Sequence, residues 1–147
     1  MTGPEAVDIL MVEDDPHDAE LAMRALRRHH IANPMHVARD GAEALDFVFA
    51  RGRYADRGGI ARPKVILLDL KLPRVNGLEV LRALKSDART RTIPVVILTS
   101  SNEDPDMKAA YALGANSYVV KPMDIDAFTH AMSRVGLYWL LVNHPAP

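Results

Sequence analysis

The sequence of 147 residues contains no cysteine, which excludes a disulfide framework, a thiolate metal site and a cysteine nucleophile. It also lacks any apolar run approaching the roughly 18 residues that a membrane-spanning helix needs. The net charge is only -1, so bulk electrostatics argue against nucleic acid as the main partner. We therefore expect a soluble, cytoplasmic protein that binds neither membranes nor nucleic acid.

Several familiar sequence signatures of enzymes are missing as well. The chain has no P-loop, no G-x-S-x-G, no H-E-x-x-H and no Rossmann fingerprint. It has instead an acidic start, because every charged residue before Arg24 is an aspartate or a glutamate. Any chemistry predicted from this sequence therefore depends on carboxylates.

One apolar run, Val65–Leu68, leads directly into Asp69 and is bounded by Pro63 and Pro73. A continuous run of this length, rich in β-branched residues, predicts a strand that is buried on both faces. Asp69 would then stand at the carboxyl end of a central parallel strand, where open α/β sheets place their chemistry.

Five strand-like segments alternate with five helical ones, interrupted only by a basic stretch from Arg51 to Lys64. Such alternation predicts a doubly wound α/β fold, with a parallel sheet and helices on both faces. The strands are expected at residues 7–12, 35–39, 65–69, 93–99 and 117–120. We expect residues 1–147 to form one domain, with a core of about residues 7–135 and a C-terminal extension of residues 136–147.

Polar residues follow four of these strands: Glu13 and Asp14, Asp69, Thr99, and Lys121. In a parallel sheet they would meet at one edge, where neighbouring carboxylates repel and need a cation. Oxygen ligands alone indicate Mg²⁺. An ammonium and a hydroxyl beside that cation suit a phosphoryl group during transfer, which leaves one carboxylate free to act as the nucleophile.

Two other charged features are predicted to have structural roles. Asp15 precedes Pro16 and is therefore expected to cap a helix rather than to bind the metal. The stretch from Arg51 to Lys64 carries five cations against one acid and is interpreted as a solvated surface loop. Contact of this stretch with nucleic acid or with an acidic partner stays open as the alternative.

The strand-end motifs resemble those of CheY-like receiver domains of two-component response regulators, over roughly residues 7–135. The matching segments are Val12-Glu13-Asp14-Asp15, Leu68-Asp69, Leu98-Thr99-Ser100 and Tyr118-Val119-Val120-Lys121-Pro122. The resemblance implies a flavodoxin-like sheet of five strands in the order 2-1-3-4-5. It also implies that Asp69 is the phosphoacceptor.

The same resemblance implies a metal site for Mg²⁺, with Mn²⁺ as an alternative. Asp14 and Asp69 would bind the ion directly, Glu13 would act through water, and the backbone carbonyl of Lys71 would be a further ligand. Lys121 and Thr99 would contact the phosphoryl oxygens.

For the switch, the resemblance implies that the Tyr118 side chain follows the movement of the Thr99 hydroxyl. It also implies a cis peptide bond between Lys121 and Pro122.

The long basic stretch and the apolar C-terminal extension resemble single-domain regulators paired with bacterial phytochrome histidine kinases. The implied partner is therefore a sensor histidine kinase of that type. A homodimer is expected through the fourth helix, the fifth strand, the fifth helix and the extension, with Tyr138, Trp139 and Leu141 as candidate dimer residues.

The function expected is a phosphorylation-dependent switch of a protein-interaction face, not an enzyme beyond its own phosphorylation and dephosphorylation. The alternative enzyme is an aspartate-nucleophile phosphohydrolase of the haloacid dehalogenase type. Such enzymes need a second aspartate two residues after the nucleophile, where this chain has Lys71. A receiver-like scaffold that is never phosphorylated is the remaining alternative.

Overall fold

Five short strands alternate with helices in the computed structural model, which describes residues 7–28, 33–101, 103–121 and 126. The strands are β1 (Ile9–Val12), β2 (Met35–Ala38), β3 (Val65–Leu68), β4 (Val95–Thr99) and β5 (Ser117–Val120). They pair in parallel in the order β2-β1-β3-β4-β5. The predicted fold class and strand order are therefore confirmed.

Helices connect these strands on both faces of the sheet. Within the described residues they are α1 (Pro16–Arg28), α2 (Gly41–Phe49), a 3-10 helix (Gly52–Arg57), α3 (Gly77–Ser86) and α4 (Asp104–Ala112). The helix predicted from about Asp124 lies outside this part of the chain, except for residue 126. Among the described helices, none has the length and apolarity required to cross a membrane.

The three central strands β1, β3 and β4 are buried along their whole length. Because successive side chains of a strand point to opposite faces, the sheet feeds two apolar cores. Leu67 belongs to the core that includes Leu26 of α1, whereas Leu68 belongs to the core that includes Leu81 of α3. This burial holds the carboxyl ends of the strands in a fixed relation to one another.

Side chains cap the starts of three helices. Asp15 Oδ1 accepts a hydrogen bond from the N–H of His17 at 2.8 Å, so Asp15 caps α1. Asp40 Oδ1 accepts from the N–H of Glu43 at 2.7 Å at the start of α2. Asn76 caps α3 in the same way. These bonds satisfy backbone donors that the first helical turn leaves free.

The stretch from Arg51 to Lys64 is more structured than the predicted loop, because it contains the 3-10 helix. Tyr54 of this helix meets Phe47 of α2 edge to face, with 5.1 Å between the ring centroids. The guanidinium of Arg57 lies 4.5 Å from the centroid of the same Phe47 ring, a cation–π contact. Tyr54 and Arg57 therefore both pack this stretch onto α2.

Candidate functional site

Backbone hydrogen bonds align the carboxyl ends of the central strands. The N–H of Asp69 donates to the carbonyl of Val12 at 3.1 Å, and the N–H of Lys121 donates to the carbonyl of Thr99 at 2.7 Å. Since Glu13 directly follows Val12, the sheet brings Glu13, Asp69, Thr99 and Lys121 to the same edge.

Glu13, Asp14 and Asp69 form an acidic cluster in which one carboxylate oxygen of each residue lies within 4.8 Å of the others. Glu13 is 4% exposed and Asp69 is 6% exposed, whereas Asp14 faces solvent. Burial raises the pKa of Glu13, although its hydrogen bond from Lys121 opposes this. Three closely spaced oxygen donors, one of them open to water, fit a hard divalent cation such as Mg²⁺ or Mn²⁺.

The ammonium of Lys121 donates hydrogen bonds to three carboxylates. Its Nζ lies 2.9 Å from Asp69 Oδ2 and 3.1 Å from Asp18 Oδ2, and Glu13 Oε1 is the third acceptor. Burial disfavours the charge, but these hydrogen bonds raise the pKa of Lys121 above its usual value. Three carboxylates thus contact one ammonium, and Asp14 adds a fourth carboxylate to the same cluster, so acidic groups outnumber the cation at this site.

Asp18 is absent from the sequence-based candidates, although it contacts Lys121. It lies in the first turn of α1, where an acid is also favoured by the helix dipole. The sequence feature that could have pointed to Asp18 is its position as a further acid only four residues after Asp14. That signal alone could not separate a contact with the site from a favourable position in the helix.

Thr99 and Tyr118 meet at the backbone of Ser101. Thr99 is fully buried, and its Oγ1 accepts a long hydrogen bond from the N–H of Ser101 at 3.5 Å. Tyr118 is half-buried; its hydroxyl donates to the carbonyl of Ser101 at 2.8 Å, and burial raises the pKa of Tyr118. The Ser101 hydroxyl in turn donates to Asp106 of α4. Ser101 and Asp106, which the sequence analysis did not single out, thus connect this edge of the sheet to α4.

The loop after β3 fixes Asp69 from the other side. The N–H of Lys71 donates to Asp69 Oδ1 at 3.2 Å. Gly77, at the start of α3, donates its N–H to the carbonyl of Leu70 at 2.8 Å. A Cβ atom on Gly77 would lie only 2.2 Å from the carbonyl oxygen of Asp69, so the helix approaches the strand end closely because this residue is glycine.

Four residues of the sequence-based predictions lie outside the described part of the chain. They are Pro122, Tyr138, Trp139 and Leu141. The cis peptide bond after Lys121 and the dimer face of the C-terminal extension therefore stay predictions.

A parallel sheet that gathers an acidic cluster, a lysine and a buried threonine at its strand ends is the arrangement of a signalling receiver domain. A family model described as the response regulator receiver domain matches residues 9–133. The chain belongs to this family, whose general function is to accept a phosphoryl group from a histidine kinase.

Individual relatives match nearly the whole chain. Probable methanogenesis regulatory protein FilR2 of Methanothrix harundinacea is 41% identical over 140 residues, which cover 95% of this chain and 88% of that protein. The structure of the bacteriophytochrome response regulator AtBRR is 49% identical, with a TM-score of 0.82, and covers 96% of this chain and 100% of that one. The Mn²⁺-bound form of response regulator Rcp1, a protein of Synechocystis sp., is 33% identical with a TM-score of 0.74, covering 97% of this chain and 98% of that one.

Proposed function

We propose that this chain is a single receiver domain that acts as a phosphorylation-dependent switch, with Asp69 as its phosphoacceptor. The observation that supports this most directly is the environment of the Asp69 carboxylate. It is buried, it belongs to the acidic cluster, and its Oδ2 lies 2.9 Å from the ammonium of Lys121. A nucleophilic oxygen and a cation for the incoming group are therefore adjacent.

The proposed metal ligands are Glu13, Asp14, Asp69 and the backbone carbonyl of Lys71. When bound, Mg²⁺ or Mn²⁺ supplies positive charge that offsets the repulsion between the carboxylates and the oxygens of the phosphoryl group. The spacing of the carboxylate oxygens, within 4.8 Å of one another, supports this assignment. The Mn²⁺-bound form of the relative Rcp1 supports it independently.

In the proposed transfer, a carboxylate oxygen of Asp69 attacks the phosphorus of a phosphohistidine. A new P–O bond forms while the P–N bond breaks, and the electron pair of that bond leaves with the imidazole nitrogen. The ammonium of Lys121 and the hydroxyl of Thr99 donate hydrogen bonds to the phosphoryl oxygens. The protein catalyses only its own phosphorylation and dephosphorylation.

The switch acts through the backbone around Ser101. When the Thr99 hydroxyl turns toward the phosphoryl oxygens, its weak contact with Ser101 is lost, and the bond between Tyr118 and the Ser101 carbonyl rearranges. Because Ser101 also contacts Asp106, the change reaches α4 and alters the surface formed by α4 and β5. Homodimerisation through this surface and the extension with Tyr138, Trp139 and Leu141 is part of the proposal.

We propose a bacterial phytochrome histidine kinase as the phosphoryl donor and the cytoplasm as the site of action. The similarity to the bacteriophytochrome response regulator AtBRR along 96% of this chain supports the choice of kinase. Phosphoryl transfer from a purified phytochrome kinase should therefore be faster than transfer from an unrelated histidine kinase. Equal rates from both kinases would contradict this choice.

The phosphoacceptor is tested by intact-protein mass spectrometry after incubation with acetyl phosphate, with and without Mg²⁺. Wild type should gain one phosphoryl adduct that requires Mg²⁺, and Asp69→Asn should gain none. Asp15→Asn is the control, since asparagine caps a helix about as well as aspartate. No adduct on wild type under any condition would make the chain a scaffold instead.

A further inference from the structure

The three carboxylates that contact Lys121 are not equivalent. Glu13 and Asp69 also belong to the acidic cluster with Asp14, where the cation is proposed to bind. Asp18 belongs to α1 and is not a member of that cluster. Its Oδ2 nevertheless lies 3.1 Å from the Lys121 Nζ, close to the 2.9 Å that separates Nζ from Asp69 Oδ2.

Metal binding and phosphorylation would change the partners of two of these carboxylates. Glu13 and Asp69 would face the cation, and one oxygen of Asp69 would become bonded to phosphorus. Asp18 would keep its contact with Lys121 through both steps. Its backbone is fixed as well, because its N–H contacts the capping oxygen of Asp15 at 3.3 Å.

Lys121 needs such a fixed partner because of its own side chain. A lysine stem has four flexible carbons, and its ammonium is a compact charge without a fixed direction. In this structure the ammonium donates one hydrogen bond to each of three carboxylates, which uses all three of its donors. A phosphoryl oxygen would replace one acceptor and leave the others to orient the ammonium.

We propose that Asp18 is a positioning residue, which holds the ammonium of Lys121 in place to donate to the phosphoryl group on Asp69. This inference rests on the proposed function and extends it to a side chain on α1. Asp18 itself touches neither the reacting atoms nor the proposed cation.

The positioning role and a simple charge effect predict opposite results. Asp18 is negative, so its charge by itself repels a phosphoryl group or its analogue. Neutralising it should then strengthen anion binding. If Asp18 positions Lys121, neutralising it should weaken anion binding instead, because the ammonium loses a charged acceptor and gains freedom.

The experiment measures the affinity of the full chain for beryllofluoride in saturating Mg²⁺ by ¹⁹F NMR. Asp18→Asn should bind about tenfold more weakly than wild type, the size expected for losing one hydrogen bond between charged groups. Asp15→Asn is the matched control, because it removes one negative charge from the same helix start and keeps the cap. Among the contacts of the described residues, Asp15 has none with Lys121, so this variant should bind as tightly as wild type or tighter.

Two further readouts separate positioning from a general structural effect. The ammonium of Lys121 should give a ¹⁵N-detected signal protected from exchange in the wild-type adduct, and this signal should be lost in Asp18→Asn. Asp18→Glu, which keeps the charge, should recover part of the affinity and the signal. With acetyl phosphate, Asp18→Asn should lower the maximal phosphorylation rate more than it raises KM.

Binding by Asp18→Asn that equals or exceeds binding by Asp15→Asn would overturn the positioning role. Failure of Asp18→Glu to recover any affinity would also overturn it. Neither result would affect the assignment of Asp69 as the phosphoacceptor, since wild type would still gain its Mg²⁺-dependent adduct. A wild-type protein with no adduct would instead overturn the proposed function itself.

Discussion

Lys121 and Glu43 are the centres of two polar networks that differ in charge balance. Lys121 is one ammonium among three carboxylates. Glu43 is one carboxylate among donors: it accepts from the N–H of Arg39 at 3.1 Å and from the Tyr54 hydroxyl at 3.0 Å, and it pairs with Arg53 at 3.1 Å. The second network is complete within the protein, whereas the first leaves negative charge that a bound cation would offset.

The pKa shifts of the two glutamates express the same difference. Burial raises the pKa of Glu13, and its hydrogen bonds do not fully compensate. Burial also acts on Glu43, but the hydrogen bonds from the Arg39 N–H and the Tyr54 hydroxyl, together with the charge of Arg53, outweigh it and lower the pKa of Glu43. Folding therefore favours the charged form of Glu43 and disfavours the charged form of Glu13. A carboxylate whose charged form is disfavoured by the fold is typical of a functional site. A carboxylate whose charged form is favoured is typical of a structural ion pair.

The largest expected effect comes from adding one methyl group next to the backbone of Asp69, the proposed phosphoacceptor. In Gly77→Ala the new Cβ would lie 2.2 Å from the carbonyl oxygen of Asp69 and 2.5 Å from the Cα of Leu70, both backbone atoms. We expect the free energy of unfolding to fall by about 3 kcal/mol or more, because backbone must move to relieve the contact. Urea unfolding followed by circular dichroism measures this change.

Gly58→Ala is the matched control beside the Glu43 network. Gly58 has a φ of +91°, but a Cβ there would meet nothing within 4 Å. The only cost is then the strain of placing alanine in the left-handed region, which should lower the free energy of unfolding by about 1–2 kcal/mol. Equal losses in the two variants would contradict the close approach of α3 to the strand end.

Removing one charge from each network should have opposite effects on stability. Glu43→Gln should lower the free energy of unfolding by about 1–3 kcal/mol, because its amide group cannot satisfy the same donors. Asp14→Asn should leave stability unchanged or raise it in the absence of metal, since it relieves repulsion within the acidic cluster. Thermal unfolding of both variants without Mg²⁺ measures the comparison.

Mg²⁺ then provides the control for the same pair of variants. It should raise the melting temperature of wild type and of Glu43→Gln by binding the folded state alone. It should have little effect on Asp14→Asn. A loss of stability in metal-free Asp14→Asn as large as that in Glu43→Gln would show that the two networks do not differ in the way proposed.

The fold could be predicted from sequence because it depends on local patterns. Strands buried on both faces appear as continuous apolar runs, and parallel pairing then gathers the residues that follow them at one edge. The positions of Asp69 and Lys121 at strand ends were enough to predict that they meet, while their roles in phosphoryl transfer came from the resemblance to receiver domains. Asn76 shows the limit even for local signals, because an Asn-Gly pair is typical of a turn, whereas the Asn76 side chain in fact caps α3.

Contacts that depend on how a helix lies over the sheet could not be predicted in this way. Asp18 and Lys121 are separated by 103 positions, and their meeting depends on how the first turn of α1 is oriented over the sheet. The same holds for Tyr54, whose surrounding charges indicated a solvated loop. Its packing against Phe47 depends on the position of α2, which the local sequence does not encode.

The smallest expected effect is a pH dependence confined to the Glu43 network. Burial lowers the pKa of His36 below 6.5, although Glu43, 3.6 Å away, opposes this. Arg53 and Arg57 also disfavour its protonation, while Tyr54 is its neutral neighbour. Because the unfolded chain then binds the proton more readily, this contribution to stability is complete above the usual pKa of about 6.5 and is lost as the pH falls.

His36→Phe tests this dependence because it keeps a ring where His36 stacks on Phe47, with 4.2 Å between the centroids, and removes the titrating group. The difference in melting temperature between about pH 8 and about pH 5.5 should shrink by a few degrees relative to wild type. Beryllofluoride affinity at pH 8 should not change, since His36 belongs to the network that is complete without a ligand. Identical pH profiles for the two proteins would contradict the burial argument, and a changed affinity would mean that the two networks are coupled.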